Sequence, residues 1–248
     1  MDRAGLIAIA DSYLDALVSR DPSRVPLAPD VTRTDHGKVV AADADTIRSI
    51  IEREPLGTMS GRRHLVDGEH VVVAYDLEVD EAFVYLIERF HVVDGLIHAI
   101  EPVYAIDTAK RPRPDRPTRY PASAPARDDV IAVAGRYLDA LVSHVGSSVP
   151  LAAEAWRIEN GHNSGNSGDA IAAALELEIM HMVAGITDTR WYVEGDTGIA
   201  FYTLLVDPSL MPGATGAVEA PRRLAMAERF RVHDGTVCEI EAIIGAEM

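Results

Sequence analysis

The chain has 248 residues, of which 48% are hydrophobic and 25% charged, and its formal net charge is −16. Like charge repels phosphate, which argues against nucleic acid and anionic membrane as partners, and no apolar run reaches the ~18–20 residues of a membrane helix. Cys238 is the only cysteine, which excludes an intrachain disulfide and a cysteine-cluster metal site; Met1–Leu6 carries no basic-then-apolar leader, so the expected location is the cytoplasm.

The first predicted element is a helix over 4–19, where Leu6, Ile7, Ala10, Tyr13, Leu14, Leu17 and Val18 recur at helical spacing. A turn is predicted at Val25–Pro29 and a second helix over 43–53, with Asp43 or Asp45 as N-cap. Strands follow at 62–67, 70–79, 82–93 and 96–105, the last two joined by the turn signal Asp94-Gly95. Residues 107–129 then hold Pro112, Pro114, Pro117, Pro121 and Pro125, a semi-rigid linker. Its Lys110, Arg111, Arg113, Arg116 and Arg119 read as a basic strip lying on an acidic domain surface.

After the linker the pattern begins again. Tyr13-Leu14-Asp15-Ala16-Leu17-Val18-Ser19 recurs identically as Tyr137-Leu138-Asp139-Ala140-Leu141-Val142-Ser143, and Val25-Pro26-Leu27-Ala28 as Val149-Pro150-Leu151-Ala152. Arg33 and Gly37 match Arg157 and Gly161 at the same offset of 124. The offset grows to 127 at Val66-Asp67-Gly68-Glu69 against Val193-Glu194-Gly195-Asp196. It reaches 140 at Glu88-Arg89-Phe90 against Glu228-Arg229-Phe230. The second copy therefore carries a small insertion before its strands and a longer loop at Pro208–Pro221. A period this long means duplicated domains: copy 1 over 1–106, the linker over 107–129 and copy 2 over 130–248. Copy 2 strands are predicted at 189–194, 198–206, 223–233 and 236–244.

Two helices followed by strands imply an α+β fold, with helices packed on one face of a curved antiparallel sheet and a cone-shaped cavity between the layers. A three-residue loop at the closing hairpin sets Arg89 opposite Ala99, Arg229 opposite Glu239 and Phe230 opposite Cys238. That register turns Glu88, Glu228 and His98 toward the cavity.

Each copy resembles the nuclear transport factor 2-like superfamily, which includes SnoaL-like cyclases and ketosteroid isomerases. The resemblance is carried by the first helix, by Asp30-Val31-Thr32-Arg33-Thr34-Asp35, and by the hairpins Glu88–Ile97 and Glu228–Val237. In ketosteroid isomerases a carboxylate ending the first short strand is the general base, a role the resemblance places on Asp35 and Glu159. The competing reading is an ordinary strand-end carboxylate before Gly37 or Gly161. Glu88 and Glu228 are a second acid–base pair of candidates, or partners in structural ion pairs.

His64, His98, Tyr75, Trp191 and Tyr202 are the candidate substrate-binding residues, with Tyr13, His181 and Tyr192 nearby; a tyrosine can donate to a developing enolate oxygen. No metal-ligand spacing or nucleotide fingerprint is present, so no cofactor is expected. On the last strand, Ile100, Pro102, Ile240 and Ala242 stand where the cyclases carry acidic or imidazole groups. The expected function is cofactor-independent proton transfer (isomerase, dehydratase or cyclase type) on a small, largely apolar molecule. The alternative is a non-catalytic module of the same fold. The two copies are expected to form an intramolecular pseudo-dimer, giving a monomer by light scattering.

Overall fold

Asp2 starts the first helix by accepting a hydrogen bond from the Gly5 amide, and α1 (Arg3–Ser19) runs until Arg20 turns left-handed. One face of α1 buries Leu6, Ala10, Tyr13, Leu14 and Leu17, as the helical spacing requires. The chain continues through β1 (Leu27–Asp35), β2 (Lys38–Ala41), α2 (Ala44–Arg53), β3 (Thr58–Asp67), β4 (His70–Val79), β5 (Ala82–Val93) and β6 (Leu96–Asp107). Asp43 is the cap of α2, holding both the amide and the hydroxyl of Thr46 at 2.8 Å. The same order recurs as α3 (Arg127–Ser143), β7 (Leu151–Glu159), β8 (His162–Gly165), α4 (Gly168–Leu175), β9 (Val183–Glu194), β10 (Thr197–Val206), β11 (Arg222–His233) and β12 (Thr236–Glu247). This computed structural model describes residues 1–53, 57–80, 82–109, 113–114, 116, 119–213 and 220–247. Contacts divide the chain into unit 1, Met1–Pro112, and unit 2, Arg113–Met248.

Among the described residues each unit holds one six-stranded sheet, in the orders β2-β1-β6-β5-β4-β3 and β8-β7-β12-β11-β10-β9. The α+β layering is the one the resemblance implies. The sheets are mixed, however, which corrects the all-antiparallel expectation. β1 runs parallel to β6, and β7 parallel to β12. The predicted turn at Val25–Pro29 is in fact where β1 begins: Ile97 donates its amide to the Pro26 carbonyl and draws the segment into the sheet. The short hairpin strands β2 and β8 were also not predicted; Lys38–Ala41 holds two adjacent valines rather than an alternation, and His162–Gly165 has no β-branched residue.

The closing hairpins use a two-residue loop, with Asp94 and Gly95 (φ 50° and 81°) and Asp234 and Gly235 (φ 46° and 72°) all left-handed. Such a turn matches strand twist. A bulge then skips His98 in β6 and Cys238 in β12, so Arg89 faces Glu101 and Glu88 faces Pro102, while Phe230 faces Ile240 and Glu228 faces Ala242. Opposed residues are thus two positions away from the expected register. A shift of two preserves the face, so Glu88 and Glu228 still point toward the helices.

In unit 1 the core fills the space between α1, α2 and this sheet face, with Tyr13 packed edge-on to Phe90 at 5.4 Å; Tyr137 and Phe230 repeat the contact at 5.5 Å. From Arg113 on, the described linker residues belong to unit 2: Arg113 donates to Glu241 at 3.3 Å, Arg116 to Asn166 at 2.6 Å and Arg119 to Glu154 at 3.1 Å. Arg231 completes the strap by donating to Asp196, Glu239 and the Pro121 carbonyl, each at 3.1 Å. Lys110 and Arg111 lie outside the described residues, as do 214–219 of the Pro208–Pro221 loop.

Gly146 opens a short 3-10 turn against α4, and a Cβ there would overlap the Ala172 carbonyl. Gly146→Ala is therefore expected to lower the stability of unit 2 by about 1–3 kcal/mol, read from its urea midpoint.

Candidate active site

The parallel pairing of β1 and β6 sets Arg33 beside Ile100, and Ile100 in turn faces Phe90 on β5. In unit 2 the row is explicit: Glu159 pairs with Ala242, and Ala242 with Glu228. The two glutamates thus stand two strands apart, roughly 10 Å between backbones, with a small residue between them.

In unit 1, Arg33 donates Nε to Asp35 Oδ1 and Nη1 to the Tyr13 hydroxyl, both at 3.1 Å. The Tyr75 hydroxyl donates to Glu88 Oε2 at 2.6 Å, and Glu88 is 1% exposed. Burial, followed by the Glu88 charge, pushes Tyr75 well above the usual phenol range, so it remains a donor. Arg33, Asp35, Tyr75 and Glu88 line one cavity of about 200 Å³, walled otherwise by Leu17, Leu77, Val84, Leu86, Pro102, Tyr104 and Ile106.

The same five positions recur in unit 2 as Tyr137, Arg157, Glu159, Tyr202 and Glu228, wired differently. Arg157 Nη2 pairs with Glu159 at 2.7 Å, but its guanidinium lies over the Tyr137 ring, 5.8 Å from the centroid. The buried Tyr137 hydroxyl then has no partner among the described residues. Tyr202 donates to Glu228 Oε2 at 2.9 Å. Glu228 is pushed up to about 7, first by burial, against the pull of Arg157 and the Tyr202 hydrogen bond; the Glu159 charge adds to the rise. Its environment thus sets it near neutrality, where a carboxyl exchanges protons readily.

The other candidates fall elsewhere. His98 is the extra residue of the bulge; its ring is 6.3 Å from His91 and its Nδ1 4.0 Å from Asp30, which corrects its predicted cavity-facing orientation. His64 bonds Asp11 of α1 at 2.9 Å and does not line the cavity. Trp191 packs 5.8 Å from Phe230 and lines a groove beside α3. His181 stacks on His144, and Tyr192 packs edge-on to Phe201. Sequence reasoning left Arg33 and Arg157 unclaimed, although both stand in the repeat; two basic residues matched at an offset of 124 were the available signal. It also missed His36, 6% exposed, with neither ring nitrogen paired among the described residues and its ring 4.2 Å from cavity-lining Tyr104. Burial lowers the His36 pKa from the ordinary imidazole value, against the pull of Asp35. Its repeat counterpart Asn160 instead accepts the Ile244 amide at 2.8 Å.

A family model described as a domain of unknown function (DUF8021) matches residues 1–104 and 123–244. No curated protein matches the chain. Among solved structures, an LEH-like epoxide hydrolase of M. tuberculosis is similar at 17% identity, covering 48% of this chain and 85% of its own, with a TM-score of 0.38. An NTF-2 like protein of unknown function from Burkholderia xenovorans LB400 is 12% identical, covering 49% and 86%, with a TM-score of 0.37. A protein of ketosteroid isomerase-like fold from Catenulispora acidiphila DSM 44928 is 14% identical, covering 46% and 85%, with a TM-score of 0.38.

Proposed function

We propose that this chain, which belongs to the family of the domain of unknown function DUF8021, is a cofactor-independent proton-transfer enzyme acting on a small, largely apolar carbonyl compound, with unit 1 as the working pocket. The observation that carries this reading is the unit 1 cavity, where a buried glutamate held by a tyrosine and an aspartate held by an arginine share otherwise largely apolar walls.

Glu88 is the proton carrier in this reading. Its carboxylate takes the proton from a carbon beside the substrate carbonyl; the C–H pair becomes a C=C bond, and the C=O π pair moves to the carbonyl oxygen. Protonation makes Glu88 a weaker acceptor, so the Tyr75 hydroxyl is released to donate to the new enolate oxygen. Glu88 then exchanges the proton with solvent and returns one to the same carbon or, in a β,γ-unsaturated ketone, to the γ carbon of the dienolate. The Arg33–Asp35 pair places opposite charges side by side on the same wall, so the substrate meets little net field from it.

About 150 Å³ of apolar cavity accepts benzene, so the ~200 Å³ pocket suits a ring of about six to ten carbons. The test uses the full chain in D2O with a panel of cyclic β,γ-unsaturated ketones of that size. Proton NMR is expected to show deuterium entering beside the carbonyl faster than in buffer. Panel members that bind yet exchange at the buffer rate would instead support the non-catalytic module. Tyr75→Phe is expected to lower the exchange rate about 10–100-fold while leaving binding within a few-fold, because the phenol acts on the enolate more than on the ketone.

A further inference from the structure

The duplication provides an internal control for a second site. In unit 1, the surface where α1 meets β3 is closed by ions. Arg62 donates to Asp11 at 3.1 Å and to Asp15 at 2.7 Å, and His64 bonds Asp11 at 2.9 Å. β3 and β9 carry their bulge at the same step, around Gly61 and Asp188, so positions correspond across the repeat. In unit 2, Asp11 is replaced by Gly135, Thr58 by Gly185, Arg62 by Thr189 and His64 by Trp191, while Asp15 is retained as Asp139. The result is a groove of about 570 Å³ lined by Gly135, Leu138, Asp139, Gly185, Thr189 and Trp191, among others.

Three features make this more than lost packing. Asp139 keeps the carboxylate whose counterpart holds a guanidinium in unit 1, yet it forms no hydrogen bond or ion pair among the described residues. Gly135 sits inside α3, where glycine disfavours the helix, and a Cβ there would meet nothing within 4 Å, so packing does not require it. Trp191, an indole whose face attracts cations, replaces an imidazole that was itself part of the ion cluster.

We propose that this groove binds a small organic cation, a guanidinium or alkylammonium group on a short apolar stem. The cation takes the place that the Arg62 side chain fills in unit 1. Asp139 supplies the countercharge, and Trp191, Leu138 and Ile186 cover the stem. The site lies between α3 and β9, outside the cavity chemistry proposed above, and does not depend on it.

The probe is n-butylguanidinium, with n-butylurea as its neutral isostere, titrated into the full chain by calorimetry at low and high salt. Butylguanidinium is expected to bind roughly ten-fold tighter than butylurea, with the preference shrinking at high salt. Asp139→Asn, a change at an exposed residue, is expected to erase the preference. Gly135→Asp with Thr189→Arg rebuilds the unit 1 clasp and is expected to abolish binding; Thr189→Arg alone serves if the double variant does not fold. Equal affinity for the two probes, unchanged affinity in Asp139→Asn, or full binding by the rebuilt clasp would each overturn the proposal.

Discussion

Glu88→Gln is expected to lower ketone exchange in D2O by 10²–10⁴-fold, the usual contribution of a positioned acid–base group. Glutamine matches the shape of the carboxyl and still accepts the Tyr75 hydroxyl, so folding and ligand binding are expected to persist. The comparison that makes the result specific is Asp35→Asn. That change removes the charge facing Arg33 but not the proton carrier. It is expected to raise KM more than it lowers kcat, because an uncompensated guanidinium alters the field over the whole pocket. If Asp35→Asn abolishes exchange while Glu88→Gln retains it, the roles are reversed and the base is the strand-end carboxylate. The equivalent change in unit 2, Glu228→Gln, leaves the unit 1 cavity untouched and is expected to leave exchange intact.

Glu228→Gln is expected instead to change stability, with a sign that depends on pH. Glu228 titrates at about 7 in the folded chain, against an ordinary value of 4.5. Between those values the folded chain holds a proton that the unfolded chain has released. Stability therefore falls as pH rises through this window, and the penalty is complete above about pH 7. A difference of that size corresponds to about 3 kcal/mol, or roughly ten degrees in the Tm of a unit of this length. Glu228→Gln mimics the protonated form, so it is expected to unfold at a higher temperature than the parent at pH 8 and at nearly the same temperature at pH 4.5. Parallel pH profiles for parent and variant would show that Arg157 and Tyr202 already compensate the buried charge in full. Leaving Tyr202 without its acceptor, as in Glu228→Ala, is expected to destabilise at every pH.

Much of the local structure was legible because it rests on neighbours in sequence. The amphipathic face of α1, the Asp43 cap of α2 and the place of the Asp94-Gly95 turn, though not its two-residue length, all follow from residues within a few positions of each other. The duplication was legible for the same reason: an identical run from Tyr13 to Ser19 at 137–143 needs only comparison along the chain. The expected hairpin register even placed Glu88 on the correct face, since an error of two in register leaves the face unchanged.

The gathering of the acid–base residues was decided in three dimensions. Arg33 and Asp35 meet Tyr75 and Glu88 because β1 lies parallel to β6, a pairing that no local turn signal announces. His98 leaves the cavity because one residue of β6 is skipped by a bulge, which depends on how twisted strands accommodate each other. The groove beside α3 needed both the register of β9 and the loss of Arg62 from its place against the helix. The sequence by itself therefore determined the duplication, the helices and the position of the closing turns, whose causes are short-range. Tertiary structure alone decided which charged side chains share a cavity, because long-range strand pairing is set by burial of the whole sheet rather than by any segment of it.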